Sequence, residues 1–527
     1  MRERDLLFVL FPIRNSRCLA TLGMTGACFH QCAKSKHAVL RSLDWKLGWE
    51  QRFGMIVGHR SMDPQSSQVM ELERGLARQL TARQLTMMAI GGAIGTGLFL
   101  GSSLAVRLAG PGVIVTYLLG AVVALLMMSA LSEMALAHPT AGSFGVYAEI
   151  YVSRWAGFAV RYTYWAVQSI AIGGEATAVA IYCRWWFPGT PAWAWIILFS
   201  ALLIYVNTRA VGSFGEFEYW FSMIKVVAIV LFIVFGLGAL SGIVGSHPAI
   251  GLGNYRGFFP HGLKGVWMAL VFVIYSYIGT EVIAVAAGEA RDPAKTVPRA
   301  VRSMVARLIA LYVGSMAVLV GFVPWTQIQS GVDVTASPFV RLFELIGIPA
   351  AAHLVNFVVL TAALSSMNCN LYLNARMMFS LARGGYALER FGRVSARGTP
   401  LEALLASAAG MVVATVVAFF FANSAYVTLF GISLFGGLFA WIMIFVIHLC
   451  FRSKREACET ASTRSAVKMP GYPYTSLLGL ALLLGILLTT WWVEGMRNTL
   501  KAGLPWLAFV SAAYVIWARR NKGRVAK

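Results

Sequence analysis

Charged residues are scarce in this sequence. Only 13% of the 527 residues are Asp, Glu, Lys or Arg, whereas soluble domains contain about 25%. A chain that is 58% hydrophobic has far more apolar side chains than a water-soluble core of this size encloses. The composition therefore excludes an ordinary soluble protein and predicts one whose helices lie in a lipid bilayer.

Disulfides, metal sites and nucleotide-binding motifs are also missing or incomplete. The seven cysteines are scattered and lie partly inside apolar segments, so they predict no disulfide framework. The stretch "CFHQCAKSKH" brings Cys28, His30, Cys32 and His37 together, but a zinc site normally needs a second paired cluster. Neither a P-loop nor a strand-led Rossmann glycine pattern occurs. We therefore expect no cofactor, no ATP-driven step and no enzymatic activity.

The chain instead contains twelve apolar segments. Their lengths are near the roughly 20 residues that a helix needs to cross about 30 Å of hydrocarbon. Backbone amides in lipid must be paired within the segment, so each segment is predicted to be a helix. The segments are 84–108, 111–133, 155–183, 192–208, 216–241, 264–287, 301–323, 349–375, 401–421, 426–451, 475–493 and 504–519. The predicted fold class is an all-α membrane protein with twelve transmembrane helices.

Basic residues outnumber acidic residues by 44 to 22, and their positions predict an orientation. In a soluble protein a net charge of +22 would favour a nucleic-acid partner, but here the lipid bilayer is the expected partner and nucleic acid is not. With a cytoplasmic N-terminus, the cytoplasmic loops and the tail "ARRNKGRVAK" carry most of the arginines and lysines. Both termini are therefore predicted on the cytoplasmic side of the inner (plasma) membrane.

Residues 1–69 differ in composition from the rest of the chain and contain no apolar run long enough to span a bilayer. The run "LLFVLFPI" is short even for the core of a signal peptide. We expect 1–69 to be a disordered N-terminal extension, 70–83 to be a cytoplasmic lead-in, and 520–527 to be a cytoplasmic tail.

The first apolar segment contains "MMAIGGAIGTGLFLGSS", although each glycine in a helix interior costs up to about 1 kcal/mol relative to alanine. Five segments later, "YSYIGTEV" places Gly279 in the middle of the sixth. Inverted-repeat transporters break their helices at such matched positions, where the substrate binds. Two broken, oppositely directed helices are therefore predicted. Close helix packing through the glycines is the alternative for either segment alone.

A broken helix offers unpaired amides to a carboxylate and unpaired carbonyls to an ammonium group. An amino acid carries both groups, so the two breaks predict an amino acid as the small-molecule partner. The aromatic residues beside the second break, Tyr275 and Tyr277, are candidates for a lid or a wall around the ammonium group.

Three ionisable residues inside apolar segments are candidate functional residues. Lys225 suits a proton carrier or a fixed substitute for sodium, and a lysine that snorkels to the membrane surface is the alternative. Glu281 is predicted to be protonated, to help close a gate or to bind the freed amides of its own half-helix. Glu175 is predicted to meet a distal amino group of the substrate or, alternatively, to line a watery vestibule. Ser365 and Ser366 give the eighth segment a polar stripe, either for the site or for helix packing.

Several stretches in order along the chain are similar to a known family. They include "ARQLTMMAIGGAIGTGLFLGSS", "GEFEYWFSMIKVVAIV", "YSYIGTEVIAVAAGEARDPAKTVPRA" and "LYLNARMMFSLARGG". Residues 74–520 resemble the bacterial amino acid permeases of the amino acid/polyamine/organocation superfamily. The resemblance implies a LeuT-type fold in which helices 1–5 (84–241) are an inverted repeat of helices 6–10 (264–451), followed by two extra helices (475–519).

The resemblance also implies roles for individual residues. The substrate carboxylate would be bound at the first break, and the α-ammonium group by carbonyls at both breaks. Tyr275 would be a gating aromatic, and Lys225, near Ser365 or Ser366, would replace the sodium ion of other relatives. Glu175 is similar to the span-3 glutamate of GABA permeases. The carboxylate would lie at Gly95, Thr96 and Gly97, and the carbonyls are those of Ala93 and Ile278.

The sequence departs from the family pattern at Val285, where many members have glycine, and at Asn370 and Asn374. The leading hypothesis is proton-coupled import of amino acids, in which spans 1, 2, 6 and 7 rock against the rest. An exchanger of amino acids or amines is the first alternative, and a nutrient sensor that binds without transport is the second. The substrate, the stoichiometry and the oligomeric state are not predicted.

Overall fold

The computed structural model describes residues 69, 71–73, 75–208, 211–242, 252–328, 337, 339–340, 342, 349–420, 425–456 and 468–521. The predicted N-terminal extension, except for residue 69, lies outside the described residues, as does the segment 522–527 of the predicted tail.

The described part of the chain is helical and has no strand; its one β-bridge pairs Leu80 with Ala290. Each of the twelve apolar segments contains at least one α-helix, and a short helix, α5, was not predicted. The helices are α1 Ala82–Ala93, α2 Thr96–Phe99, α3 Gly101–Ala109, α4 Val113–Ala137, α5 Ser143–Tyr151, α6 Arg154–Arg184, α7 Ala192–Asn207, α8 Val211–Leu240, α9 Gly262–Tyr277, α10 Val282–Ala286, α11 Pro293–Phe322, α12 Pro349–Arg383, α13 Leu401–Phe420, α14 Ala425–Glu456, α15 Tyr474–Thr489 and α16 Asn498–Arg520.

By length and composition, eight helical stretches of the described chain are able to cross a membrane. Two further apolar helices, α7 and α15, are shorter. The eight stretches are Gly101–Ala137, Arg154–Arg184, Gly212–Leu240, Gly262–Glu289, Pro293–Phe322, Ala350–Arg383, Val427–Lys454 and Asn498–Arg520. The prediction of an all-α, multi-pass membrane protein is confirmed, whereas the number twelve and the inverted repeat stay predictions.

The outer faces of the helices are apolar, as expected for helices in lipid. Along α8, five large apolar side chains recur at helical spacing, each with 44–59% of its surface exposed. They are Val227, Val230, Leu231, Val234 and Phe235. Water would disfavour such a stripe, but hydrocarbon does not.

The centre of the bundle is built on α6 and α12, which pack along each other. Helix α1 packs against α8, α11 and α12, and the short α10 also contacts it. Helix α1 begins with a capping box, in which Thr81 and Gln84 satisfy each other's backbone amides. This packing places the C-terminal end of α1 in the interior of the bundle, next to the region between α9 and α10.

Candidate functional site

Both helices that the glycine pattern predicts to be broken are interrupted at the predicted positions. Helix α1 ends at Ala93, and α2 begins at Thr96 after an extended Gly95. Helix α9 ends at Tyr277, and α10 begins at Val282. Gly279, between them, has φ +105°, which side-chain-bearing residues rarely adopt. Each break leaves backbone groups that no helical hydrogen bond satisfies.

The two breaks are in direct contact through their backbones. A Cβ atom added to Gly279 would lie 2.7 Å from the carbonyl oxygen of Gly92, and one added to Gly92 would lie 3.2 Å from that of Gly279. A Cβ on Gly97 would lie 3.0 Å from the Tyr275 ring. The glycines therefore allow close helix packing as well as the break itself, so the two interpretations of the pattern are compatible.

A cavity opens between the two breaks and helices α6 and α12. Seven of the residues predicted for the site line this cavity. They are Ala93, Gly95, Gly97, Glu175, Tyr275, Ile278 and Ser366. The cavity also has polar side chains from Gln168 on α6 and Asn370 on α12, neither of which was among the predicted site residues.

Tyr277 does not line the cavity, although the sequence analysis placed it in the binding site. Its hydroxyl donates to the carbonyl of Tyr117, 2.9 Å away, and its ring packs 5.0 Å from that of Tyr312. Tyr275 lies on the cavity, with its ring 3.9 Å from that of Phe430. Two residues apart on a helix point in nearly opposite directions, so one of the two tyrosines necessarily faces away.

Glu175 is buried, and one of its carboxylate oxygens is held at the first break. The Ser366 hydroxyl donates to Glu175 Oε1 over 3.1 Å, and the amide and hydroxyl of Thr96 also lie against this carboxylate. Glu175 Oε2 has no partner at normal hydrogen-bonding geometry. Glu175 thus lies at the break where the resemblance places the substrate carboxylate, within reach of any cationic group in the cavity.

Lys225 is fully buried and contacts the C-terminal end of α1. Its Nζ donates to the carbonyl oxygens of Gly91, at 2.6 Å, and Ile94, at 2.9 Å. Carbonyls at the end of a helix lack helical partners and carry partial negative charge, so an ammonium group is favoured there. The ammonium group points into the bundle, which does not match a snorkelling lysine.

Glu281 binds the amide freed by its own break, one of the three predicted alternatives. It accepts hydrogen bonds from the Gly279 amide at 2.9 Å, the Tyr164 hydroxyl at 2.8 Å and the Trp441 indole at 3.3 Å. Gln168, which lines the cavity, donates to the same Tyr164 hydroxyl over 3.1 Å. This carboxylate is therefore connected to the cavity through two side chains.

Glu218 on α8 is a buried carboxylate that the sequence analysis missed. It accepts hydrogen bonds from Ser365 and from Asn368, the latter over 2.8 Å. Ser365 therefore contacts Glu218, while no hydrogen bond joins it to Lys225 among the described contacts. The signal was present in the sequence, because Glu218 precedes Lys225 by seven residues, which places both on one face of α8.

Comparison with known proteins decides the family. The amino acid permease family profile matches residues 84–521. The chain belongs to the amino acid permease family. This permease is 37% identical to the γ-aminobutyric acid permease of Bacillus subtilis (strain 168), over 85% of this chain and 95% of that protein.

Two further relatives differ in the substrates that they are named for. The permease is 36% identical to the probable threonine/serine transporter YbxG of Bacillus subtilis (strain 168), over 87% of this chain and 98% of that one. It is 35% identical to the aromatic amino acid transport protein AroP of Escherichia coli O6:H1, over 85% and 97%. The family and these relatives confirm amino acid transport, a multi-pass membrane protein and a function that is not enzymatic.

Proposed function

We propose that the permease imports amino acids by proton symport with alternating access. The observation that carries the proposal is the position of Lys225, whose ammonium group bonds to two carbonyls of the broken helix beside the cavity. Uptake or release of a proton at this ammonium group or beside it would change how firmly α1 is held to α8. Substrate binding at the break and protonation would then act on the same backbone segment.

The substrate would bind across the two breaks. The amides of Gly95, Thr96 and Gly97 would hold its carboxylate, and the carbonyls of Ala93 and Ile278 its ammonium group. Gly279 would supply the bend that exposes the second carbonyl, and Tyr275 would close over the substrate. Glu175, with one oxygen unpaired, would receive a distal ammonium group where the substrate has one.

We further propose the architecture that this mechanism needs. Twelve spans would cross the membrane with both termini in the cytoplasm, and residues 84–241 would be inverted relative to 264–451. The helices at 475–519 would follow this core. Alternating access would come from rocking of the two broken spans and the spans that follow each of them, α4 and α11, against the rest.

The named substrates of the relatives support a proposal limited to amino acids as a class. γ-Aminobutyric acid, threonine, serine and aromatic amino acids share a carboxylate and an amine, but they differ in the size and polarity of the rest of the molecule. A site built mainly from backbone groups recognises the shared part and leaves side-chain selection to residues such as Gln168, Glu175 and Asn370.

Uptake into proteoliposomes tests the proposal. Radiolabelled amino acid should accumulate when the outside is acidic and the lumen contains no substrate, and dissipation of the pH gradient by a protonophore should abolish this. Lys225→Met, which keeps the side-chain length without the ammonium group, should lose gradient-driven accumulation while retaining part of the equilibrium binding. Accumulation that ignores the gradient and requires internal substrate would replace symport with exchange. Binding without either mode of uptake would indicate a sensor.

A further inference from the structure

The proposed function leaves Glu218 without a role. Its side chain is fully buried, as is that of Lys225. Seven residues make nearly two helical turns, so both side chains leave α8 on the face that packs against α1 and α12. Both residues therefore face the interior of the bundle at the level of the first break.

The carboxylate and the ammonium group meet the same residue of α1. Lys225 Nζ bonds to the Gly91 carbonyl over 2.6 Å. A Cβ atom on Gly91 would lie 2.4 Å from Glu218 Oε1 and 2.2 Å from Ser222 Oγ, so only glycine leaves room for the carboxylate there. Glu218 and Lys225 thus approach the last turn of α1 together and interact electrostatically across it.

Every described hydrogen-bond donor to Glu218 is an uncharged side chain. Ser222 Oγ donates over 3.2 Å, Asn368 Nδ2 over 2.8 Å, and Ser365 also donates. Asn207 Nδ2 donates to Asn368 Oδ1 over 2.6 Å, which fixes the orientation of that amide. Hydroxyl groups can rotate to accept from a carboxylic acid as readily as they donate to a carboxylate. The surroundings therefore accommodate both protonation states of Glu218.

Lys225 is the cation that acts on Glu218. The other titratable groups that face the two residues are the Cys369 thiol, beside Glu218, and the Glu175 carboxylate, on the cavity side of Lys225. A buried carboxylate without a counter-charge is disfavoured by several kcal/mol. The charge of each residue thus depends on the charge of the other, and their titrations are coupled.

We propose that Glu218 is the counter-ion of Lys225 and that the two side chains hold the coupling proton as one unit. The inference rests on the proposed proton symport and names a second residue that carries it out. The unloaded pair is an ammonium and a carboxylate. The loaded pair is an ammonium and a carboxylic acid, with one proton taken from water on one side of the membrane and released to water on the other.

Glu218→Gln tests the inference, because the amide resembles the protonated acid and cannot release a proton. We expect it to retain substrate binding and substrate exchange between two pools, within about threefold of wild type, and to lose gradient-driven accumulation by about tenfold or more. Glu218→Asp, which restores a carboxylate, should recover part of the accumulation. Glu216→Gln is the matched control, because Glu216 lies on the same helix but is exposed and paired with Arg83.

Ser365→Ala provides a second measurement in which the charge of the pair is kept. Without this hydroxyl the carboxylate loses one donor and takes up its proton more readily, so half-maximal uptake should move to higher pH by about half a unit to one unit. A purely structural role for Glu218 predicts slower uptake without this displacement.

The outcomes separate this inference from the proposed function. Should Lys225→Met abolish gradient-driven uptake while Glu218→Gln keeps it with an unchanged pH profile, Glu218 is not part of the coupling unit and proton symport stands. Should both variants keep it, neither residue carries the coupling proton, whereas proton symport itself is overturned only if uptake by the wild type ignores the gradient. If Glu218→Gln does not reach the membrane, two other results together reject the inference. Glu218→Asp would show no gradient-driven accumulation, and Ser365→Ala would show an unchanged pH dependence of uptake.

Discussion

Six buried or nearly buried glutamates of the described chain form two groups that differ in their partners. The clamped glutamates, Glu133, Glu149 and Glu289, are each paired with an arginine. The core glutamates, Glu175, Glu218 and Glu281, have no arginine within ion-pair distance in the part of the chain described. The first group lies beside the ends of helices, and the second lies around the two helix breaks.

The clamped glutamates each have an arginine as counter-ion. Arg376 Nε on α12 donates to Glu289 Oε1 over 2.8 Å, and Arg452 Nη2 on α14 donates to Glu133 Oε2 over 3.0 Å. An arginine side chain does not lose its proton under physiological conditions, so the counter-charge beside each clamped glutamate is permanent. Arg291 is the arginine nearest to Glu289 in the sequence, but Glu289 is paired with Arg376, 87 residues along the chain.

The core glutamates are held by groups that tolerate a change of charge. Their donors are hydroxyl, amide and indole groups, and among the described residues the cation near them is Lys225. Burial alone therefore does not indicate which glutamates are suited to proton coupling. A buried glutamate paired with an arginine joins two helices by an ion pair. A buried glutamate without an arginine is in surroundings that allow its charge to change.

Removal of a clamp should have the largest effect on stability. Arg376→Gln leaves Glu289 buried without a counter-charge, so the free energy of unfolding should fall by about 3–5 kcal/mol. The thermal midpoint of the purified permease in detergent measures this loss. The double variant Arg376→Gln with Glu289→Gln should recover much of it, because no lone charge then remains. Equal losses in the single and double variants would mean that the pair does not act as a clamp.

Glu175→Gln should change selectivity by about tenfold, which corresponds to about 1.4 kcal/mol. Glu175 lies at the break proposed for the substrate carboxylate, so its negative charge opposes that carboxylate and favours a distal ammonium group. In a competition panel of amino acids, the ratio of affinities should shift away from substrates with a distal amine. A uniform loss across the panel would leave Glu175 as a support for the break and remove its role in selectivity.

Tyr164→Phe removes one neutral donor from a core glutamate and should lower the free energy of unfolding by only about 1 kcal/mol. The Tyr164 hydroxyl donates to the Glu281 carboxylate and stabilises its charged form. Without this hydroxyl Glu281 should take up a proton more readily, so half-maximal uptake should move to higher pH. Tyr162→Phe on the same helix is the control, because its hydroxyl donates to the Tyr386 carbonyl, 2.8 Å away, and not to a carboxylate. The two variants should lose similar stability, and a shift of the pH profile in both would refute the assignment.

The sequence located the parts of the site that leave a local pattern. Gly279 marks its break because few other residues adopt φ +105°, and Gly95 marks the first break because a Cβ atom there would lie 2.7 Å from Ser366 Oγ. Lys225 is conspicuous in an apolar helix. The long helices could also be located from a local pattern, because each lies in a continuous apolar segment. Helix α5 was missed, because nine residues in a connecting region carry no span-length signal.

The sequence could not supply the pairings. Glu218 and its donor Ser365 are 147 residues apart, and nothing near either residue indicates the other. The same holds for Arg376 and Glu289. Which of Tyr275 and Tyr277 faces the cavity depends on the rotation of α9, which its packing against α3, α4 and α15 determines. Contacts between helices, and not the helices themselves, separate the clamped glutamates from the core glutamates.

Glu73 is intermediate between the two groups and should give the smallest effect. It accepts from the Ser380 hydroxyl at 2.6 Å and from the Gly142 amide at 2.9 Å, with Arg161 acting on it electrostatically. Burial raises the pKa of this carboxyl, although Arg161 opposes the shift. Glu73 belongs to the lead-in, which is docked where Glu73 contacts Ser380 and Gly142. Because the pKa of Glu73 is raised in this docked state, docking is accompanied by uptake of a proton. Docking is therefore favoured in acid and weakens as the pH rises through the docked pKa.

Hydrogen exchange of residues 71–80, corrected for the intrinsic effect of pH, should show this dependence. In the wild type, protection should fall as the pH rises through the raised pKa of Glu73, and the change in free energy should be smaller than that caused by any clamp variant. Glu73→Gln should keep the lead-in docked with protection that no longer varies with pH, and Glu71→Gln, at an exposed position, should behave like the wild type. A pH dependence that survives in Glu73→Gln would place the titrating group elsewhere. Glu73, which has Arg161 nearby but not in contact, would then resemble the clamped glutamates because its charge would not change over the range of pH measured.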